Sequence, residues 1–146
     1  MEANYTTMEQ SKKLLDLGLS KETADMFYCY GYDTYSSVWD YDDEPTVIGE
    51  TTFDIGDIPC WSLGALIKAM PSYIMINASE YNDSGIFHWE LTRGYDNYLV
   101  RYENQDGKWG LKITAGDTLI EAVINMVIWL LENEYIKNTS KTNERD

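Results

Sequence analysis

The most apolar run in the chain spans 117–135 and reads Asp-Thr-Leu-Ile-Glu-Ala-Val-Ile-Asn-Met-Val-Ile-Trp-Leu-Leu-Glu-Asn-Glu-Tyr. At 100° per residue, Glu121, Asn125 and Glu132 fall on one narrow stripe with Ile128 between them. Leu119, Val123, Met126, Val127, Leu130 and Leu131 cover most of the remainder. An apolar arc that wide predicts a helix buried on more than one side, between a sheet and other helices. Asp117 is its expected N-cap.

Two further helical patterns precede it. Thr6-Thr7-Met8-Glu9 fits a capping box, with Thr6 as N-cap and Glu9 reaching back. Met8, Leu14, Leu15 and Leu17 form the apolar side of that first helix, and Gly18 suits its C-terminal end. Ser20 then caps a short second turn, with Ala24, Met26 and Phe27 facing inward. In the middle of the chain, Leu63, Leu66, Ile67 and Met70 recur at helical spacing, with Ser62 as N-cap and Pro71 as terminator. Gly64 and Ala65 are expected to let a neighbouring helix approach closely.

The period then changes from helical to two. A short strand is expected over 73–76. Phe87, Trp89 and Leu91 alternate with His88, Glu90 and Thr92; Tyr98, Val100 and Tyr102 alternate with Leu99, Arg101 and Glu103; Trp109, Leu111 and Ile113 alternate with Lys108, Gly110 and Lys112. Turn-rich segments at 94–97 and 104–107 separate these runs. The pattern predicts an antiparallel meander with one aromatic, buried face. Glu90, Arg101, Glu103, Lys108 and Lys112 would occupy the other face and pair across strands.

Between the first helices and the middle one the pattern is different. From Glu22 to Ile67 there is no Lys or Arg, yet the span holds Glu22, Asp25, Asp33, Asp40, Asp42, Asp43, Glu44, Glu50, Asp54 and Asp57. Phe27, Tyr28, Tyr30, Tyr32, Tyr35, Trp39 and Tyr41 recur among these acids. Neither period is clean, so 27–57 reads as a long irregular excursion with a short hairpin over 34–40 and 45–53. Excursions of this length in compact domains are functional or disordered, and the aromatic content argues against disorder.

Composition sharpens the picture in three ways. The formal net charge of −14 opposes nucleic-acid phosphates and anionic membranes, and it permits a basic partner. Cys29 and Cys60 are the only cysteines, which fits two free thiols in a reducing cytosol, and no secretion signal is read at the start. The apolar centre of the last helix is interrupted by Asn125 and is too short for a bilayer, which needs about 20 residues.

Three kinds of chemistry suit residues of this chain. Cys60 precedes a helix N-terminus, where the dipole favours thiolate, and His88, the sole histidine, could serve it as base if the two met. The alternative is that Cys60 and Trp61 pack the helix start while His88 is solvated. Asp40-Tyr41-Asp42-Asp43-Glu44 offers oxygen ligands at alternate positions, as a calcium loop does. Pro45 stands where such a loop needs glycine and Thr51 where it needs the closing glutamate, so no metal is expected, and no cofactor motif occurs. Last, the tyrosine-rich acidic stretch could be a docking surface: Tyr28, Tyr30, Tyr32, Tyr35, Trp39 and Tyr41 give rigid contact area, and Asp40, Asp42, Asp43 and Glu44 attract cations. Its carboxylates could even imitate a nucleic-acid backbone.

The residues at 5–15, Ala24-Asp25-Met26, Ile58-Pro59-Cys60-Trp61-Ser62-Leu63-Gly64-Ala65-Leu66, Met70-Pro71, Gly116-Asp117-Thr118-Leu119 and Trp129-Leu130-Leu131-Glu132 carry a resemblance. Over nearly its full length the chain resembles an uncharacterised family of small acidic proteins from gut Bacteroides and relatives, often phage or mobile-element encoded. The resemblance implies a cytoplasmic setting and assigns no residue a role.

The expectation is therefore a single α+β domain over 1–136, in which a four-stranded antiparallel meander packs against a long C-terminal helix and shorter N-terminal and middle helices. A polar, disordered tail is expected over 137–146. The expected function is a non-enzymatic interaction protein of a phage or mobile element, acting through its acidic aromatic surface on a basic protein. The alternatives are a cysteine hydrolase using Cys60 and His88, and a structural component of an assembly.

Overall fold

The computed structural model describes residues 4–49, 56–76, 85–104 and 110–137. The first helix, α1 (Met8–Asp16), is capped by Thr7, not Thr6: the Thr7 hydroxyl accepts from the Gln10 N–H, and Gln10 reaches back to the Thr7 N–H. Thr6 is drawn into the interior instead, fully buried, because a strand from the middle of the chain needs it there. Leu14 is buried as expected, whereas Leu15 lies on the solvent side of the helix. Gly18 follows with φ at +100°, a backbone region that suits glycine. Ser20 then caps a single 3-10 turn, Lys21–Thr23.

The excursion is more regular than its sequence suggests. Strand β1 (Met26–Tyr28) pairs antiparallel with β4 (Thr46–Val47) on one side and β5 (Ile58–Cys60) on the other. Between β1 and β4 the chain runs out and back as a hairpin of β2 (Tyr30–Asp33) and β3 (Val38–Tyr41). The hairpin expected over 34–40 and 45–53 is thus shifted toward the N-terminus, and 50–53 lie outside the described residues.

After β5, Ser62 caps α2 (Leu63–Ala69), accepting from the Ala65 N–H. Leu66 and Met70 are buried, and Leu63 and Ile67 pack at the edge of the core. Gly64 does not admit a neighbouring helix; it is exposed, and only the Ser62 hydroxyl lies near the space a side chain would take.

Strands β6 (Tyr73–Met75), β7 (Ile86–Arg93), β8 (Tyr98–Asn104) and β9 (Gly110–Gly116) form the antiparallel meander in simple sequential order. Its inner face is built by Ile74, Phe87, Val100 and Tyr102, all buried, and α3 (Leu119–Glu132) packs across it and against α2. The fold is therefore α+β. Val123, Met126, Val127, Leu130 and Leu131 of α3 are buried in that core. Each fully buried side chain of this size contributes about 1.5–3 kcal/mol, so this layer dominates stability.

Two features of the meander and the helix that follows it depart from the sequence pattern. Thr118 caps α3 in place of Asp117, with Glu121 completing the box. The register of β8 and β9 also shifts beside Tyr102: Glu103 faces Gly110 while Tyr102 faces Lys112, leaving Leu111 as an extra residue. Leu111 packs inward, and the bulge resets everything after it. Lys112, expected outside, shares the Tyr102 face, where its Nζ stands 6.0 Å from the Trp129 ring centre. Ile113, expected inside, faces outward beside Arg101 and is 54% exposed. Lys108 and Trp109 lie outside the described residues, as do 138–146 of the expected tail.

Candidate functional site

The hairpin β2–β3 is anchored at its base by two hydrogen bonds and one packing contact. The Tyr30 N–H donates to Asp57 Oδ1 at 2.9 Å, the Asp42 N–H donates to the Cys29 carbonyl at 2.9 Å, and Gly56, at φ +102°, lies against the Tyr30 ring. The tip is a four-residue loop, 34–37. There Asp33 Oδ1 accepts from the Tyr35 N–H at 2.9 Å and the Asp33 carbonyl from the Ser37 N–H at 2.8 Å. Ser37 holds φ at +58° to close it. The Tyr35 N–H, followed by the Ser36 hydroxyl, holds the Asp33 carboxyl below its usual range.

Because side chains alternate across a strand, the register Tyr30↔Tyr41, Gly31↔Asp40, Tyr32↔Trp39 and Asp33↔Val38 sorts the hairpin into two faces. One carries Tyr30, Tyr32, Trp39 and Tyr41. The rings form a continuous ladder: Tyr30 and Tyr41 centres are 4.9 Å apart, Tyr30 and Trp39 5.7 Å, and Tyr32 and Trp39 5.7 Å. The other face carries Gly31, Asp33, Val38 and Asp40. Ladders of this kind ordinarily cover a core. Here Trp39 is 62% exposed and Tyr32 52%, because among the described residues no other layer closes over them.

The carboxylates follow the ladder closely. Asp40, Asp42, Asp43 and Glu44 are exposed, and none of them, nor Asp33, makes an ion pair among the described residues. A concavity of about 480 Å³ on the polar side is lined by Asp33, Asp40, Asp42 and Asp43 together with Tyr32 and Tyr35. One cation does approach the ladder: Lys12 of α1 places Nζ 5.7 Å from the Tyr41 ring centre, within cation–π range. No group of three or more His, Cys, Asp or Glu side chains that could hold a metal ion is found among the described residues.

Most of the residues singled out in the sequence fall on this hairpin. Tyr30, Tyr32, Tyr35 and Trp39 are exposed, Tyr41 is half-buried, and the four acids flank them. Tyr28 is the exception and leaves the surface: it is 3% exposed, and its hydroxyl donates to the Thr6 carbonyl at 2.7 Å. Burial pushes its phenol well above the usual tyrosine range.

Cys60 and His88 are placed in different sheets. Cys60 ends β5, fully buried; its thiol donates to the Thr6 carbonyl at 3.3 Å, and the Thr6 hydroxyl approaches the sulfur at 3.5 Å. Burial raises the thiol pKa, the opposite of what a nucleophile needs. His88 is exposed on the outer face of the meander, opposite Glu103 in β8, with its ring centre 6.4 Å from that of Tyr73.

Sequence reasoning missed Tyr5 and Met8, which border the base of the hairpin across a notch with Tyr41, Asp42 and Asp43. Tyr5 precedes α1 and Met8 opens it, some thirty-five residues before the acids they face, and no local pattern links them. No protein-family model matches the chain, and no curated protein or solved structure matches it.

Proposed function

We propose that the protein is a non-enzymatic binding protein that engages a basic protein through the hairpin β2–β3. The observation that carries the reading is the uncovered ladder of Tyr30, Tyr32, Trp39 and Tyr41, edged by carboxylates that have no cationic partners of their own among the described residues. Exposed aromatic patches rimmed by charge are what protein interfaces use: the rings supply rigid area and the charges supply steering. Such a surface favours Lys- and Arg-rich segments, since ring faces attract cations as well as apolar side chains. A net charge of −14 works against direct binding to nucleic acid. Among the described residues no helix is long and apolar enough to cross a membrane. The setting in a phage or mobile element, and in the cytoplasm, rests on the family resemblance.

The test is affinity capture with the full chain beside two variants, one carrying Asp40→Lys, Asp42→Lys, Asp43→Lys and Glu44→Lys, the other Trp39→Ser. A basic protein retained by the native chain, lost with both variants and released by raised salt supports the reading. Retention that survives charge reversal overturns it.

A further inference from the structure

At the base of the hairpin lies a second concavity, of about 420 Å³, between α1 and the end of β3. We infer that this notch is a receptor for a single guanidinium group, the terminus of an arginine side chain on the partner. The inference rests on the reading of the hairpin as a docking surface for a basic protein and says where its anchoring contact falls.

The walls of the notch divide by chemistry. Tyr5, Met8 and Tyr41, all half-buried, supply aromatic and thioether surface, and Asp40, Asp42 and Asp43 supply charge. A guanidinium can use both at once: its flat face lies on a ring while its edge N–H groups reach carboxylate oxygens. An ammonium is more strongly hydrated and makes poorer use of the rings. The volume is at the lower end of the range for sites that enclose a small ligand, so it suits one side chain rather than a folded element. A second observation is independent of the acids. The chain's own Lys12, one turn beyond Met8 on α1, holds its Nζ 5.7 Å from the Tyr41 ring centre, so the ring that edges the notch is already placed where a cation is favourable. None of the three acids has an ion pair among the described residues to satisfy it first.

The test is a nuclear magnetic resonance titration of the full chain with N-acetyl-arginine amide. N-acetyl-citrulline amide, of nearly the same shape and without charge, is the control. The expected result is a saturable shift of the Met8 methyl and of the Tyr5 and Tyr41 rings with the arginine probe only. Tyr41→Leu should weaken binding at least about 5-fold through loss of the cation–π contact. A second variant, Asp42→Asn with Asp43→Asn, leaves the ring in place and should weaken it as well, while Tyr95→Leu, in the exposed turn between β7 and β8, should leave it unchanged. Equal shifts with citrulline, shifts spread without saturation over the acidic surface, or full binding by the Asp42→Asn/Asp43→Asn chain would overturn the inference. A chain that loses the probe through Tyr41→Leu yet still retains the basic partner would overturn the anchoring role and leave the hairpin reading intact.

Discussion

Trp61 and Thr6 are bonded to each other twice. The Trp61 N–H donates to Thr6 Oγ1 at 3.0 Å, and the Thr6 N–H donates to the Trp61 carbonyl at 2.9 Å. Around this pair Tyr5 bridges to Ser62, the Leu63 N–H donates to the Asn4 carbonyl, and the Trp61 indole N–H donates to Thr23 Oγ1 at 2.8 Å. Asp25 closes the group, accepting from the Ser62 N–H and hydroxyl. The stretches around Thr6, Asp25 and Trp61, which lie far apart in the chain, therefore meet at one knot whose centre, Thr6 and Trp61, is fully buried.

Thr6→Ala removes the acceptor for a buried backbone N–H and should cost about 1–3 kcal/mol. Thr6→Ser keeps the oxygen and should cost less. Equilibrium denaturation of the two variants beside the native chain measures both, and equal losses would mean that the methyl group rather than the hydroxyl matters.

Cys60 and Cys29 should differ in reactivity. Cys60 is buried and hydrogen-bonded, with its pKa raised, whereas Cys29 is half-buried beside Thr46. A maleimide titration should label Cys29 in the native protein and Cys60 only after denaturant is added. Rapid native labelling of Cys60 would reopen the cysteine-hydrolase alternative.

Removing rings from the hairpin should barely touch stability. Trp39→Ser loses ring contacts worth about 0.5–1.5 kcal/mol, set against about 3–5 kcal/mol for Phe87→Ala in the core. Comparable losses from the two substitutions, read from denaturant midpoints, would mean that the ladder is covered in solution.

The outer face of the meander predicts a pH dependence. Glu103 stands opposite His88, near Glu90 and 3.8 Å from Arg101. A hydrogen bond with Glu90, aided by desolvation and by the Glu90 charge, raises its pKa, while Arg101 pulls the other way. An acid whose folded pKa is raised contributes stability that is present below its unfolded pKa and is lost as pH rises through the folded value. Glu103→Gln keeps a donor for Glu90 and removes the titration. The stability of this variant should therefore fall less than that of the native chain as pH rises just above the ordinary glutamate range, measured by denaturation across pH.

What could be read from the sequence followed from long, one-sided patterns. The Leu63, Leu66, Ile67, Met70 stripe, the wide apolar arc of α3 and the alternation at Phe87 and Val100 each have a single burial solution, and each was found. The misplacements arose where two local solutions were nearly equal and a distant contact chose between them. Thr6 and Thr7 could both cap α1, and the decision came from β5, which draws Thr6 inward. Ile113 and Lys112 exchanged faces because of one extra residue at Leu111, for which the flanking Gly110 is the sole local hint. The hairpin strands are four residues each, so the alternation of Tyr30, Tyr32, Trp39 and Tyr41 with Gly31, Asp33 and Asp40 was too brief to stand out as a period. The surface they build was legible only as an unusual mixture of rings and acids.

The sequential order of β6, β7, β8, β9 and α3 has a kinetic consequence. Each of these elements touches the one that follows it, and Gly116 lies so close to the Ala122 backbone that the chain passes from sheet to helix through only Asp117 and Thr118. Contacts between near neighbours form fast because little loop entropy opposes them. The Thr6–Trp61 knot must close a loop of more than fifty residues, so it should form after the C-terminal half has collapsed. Refolding should register it as the late event.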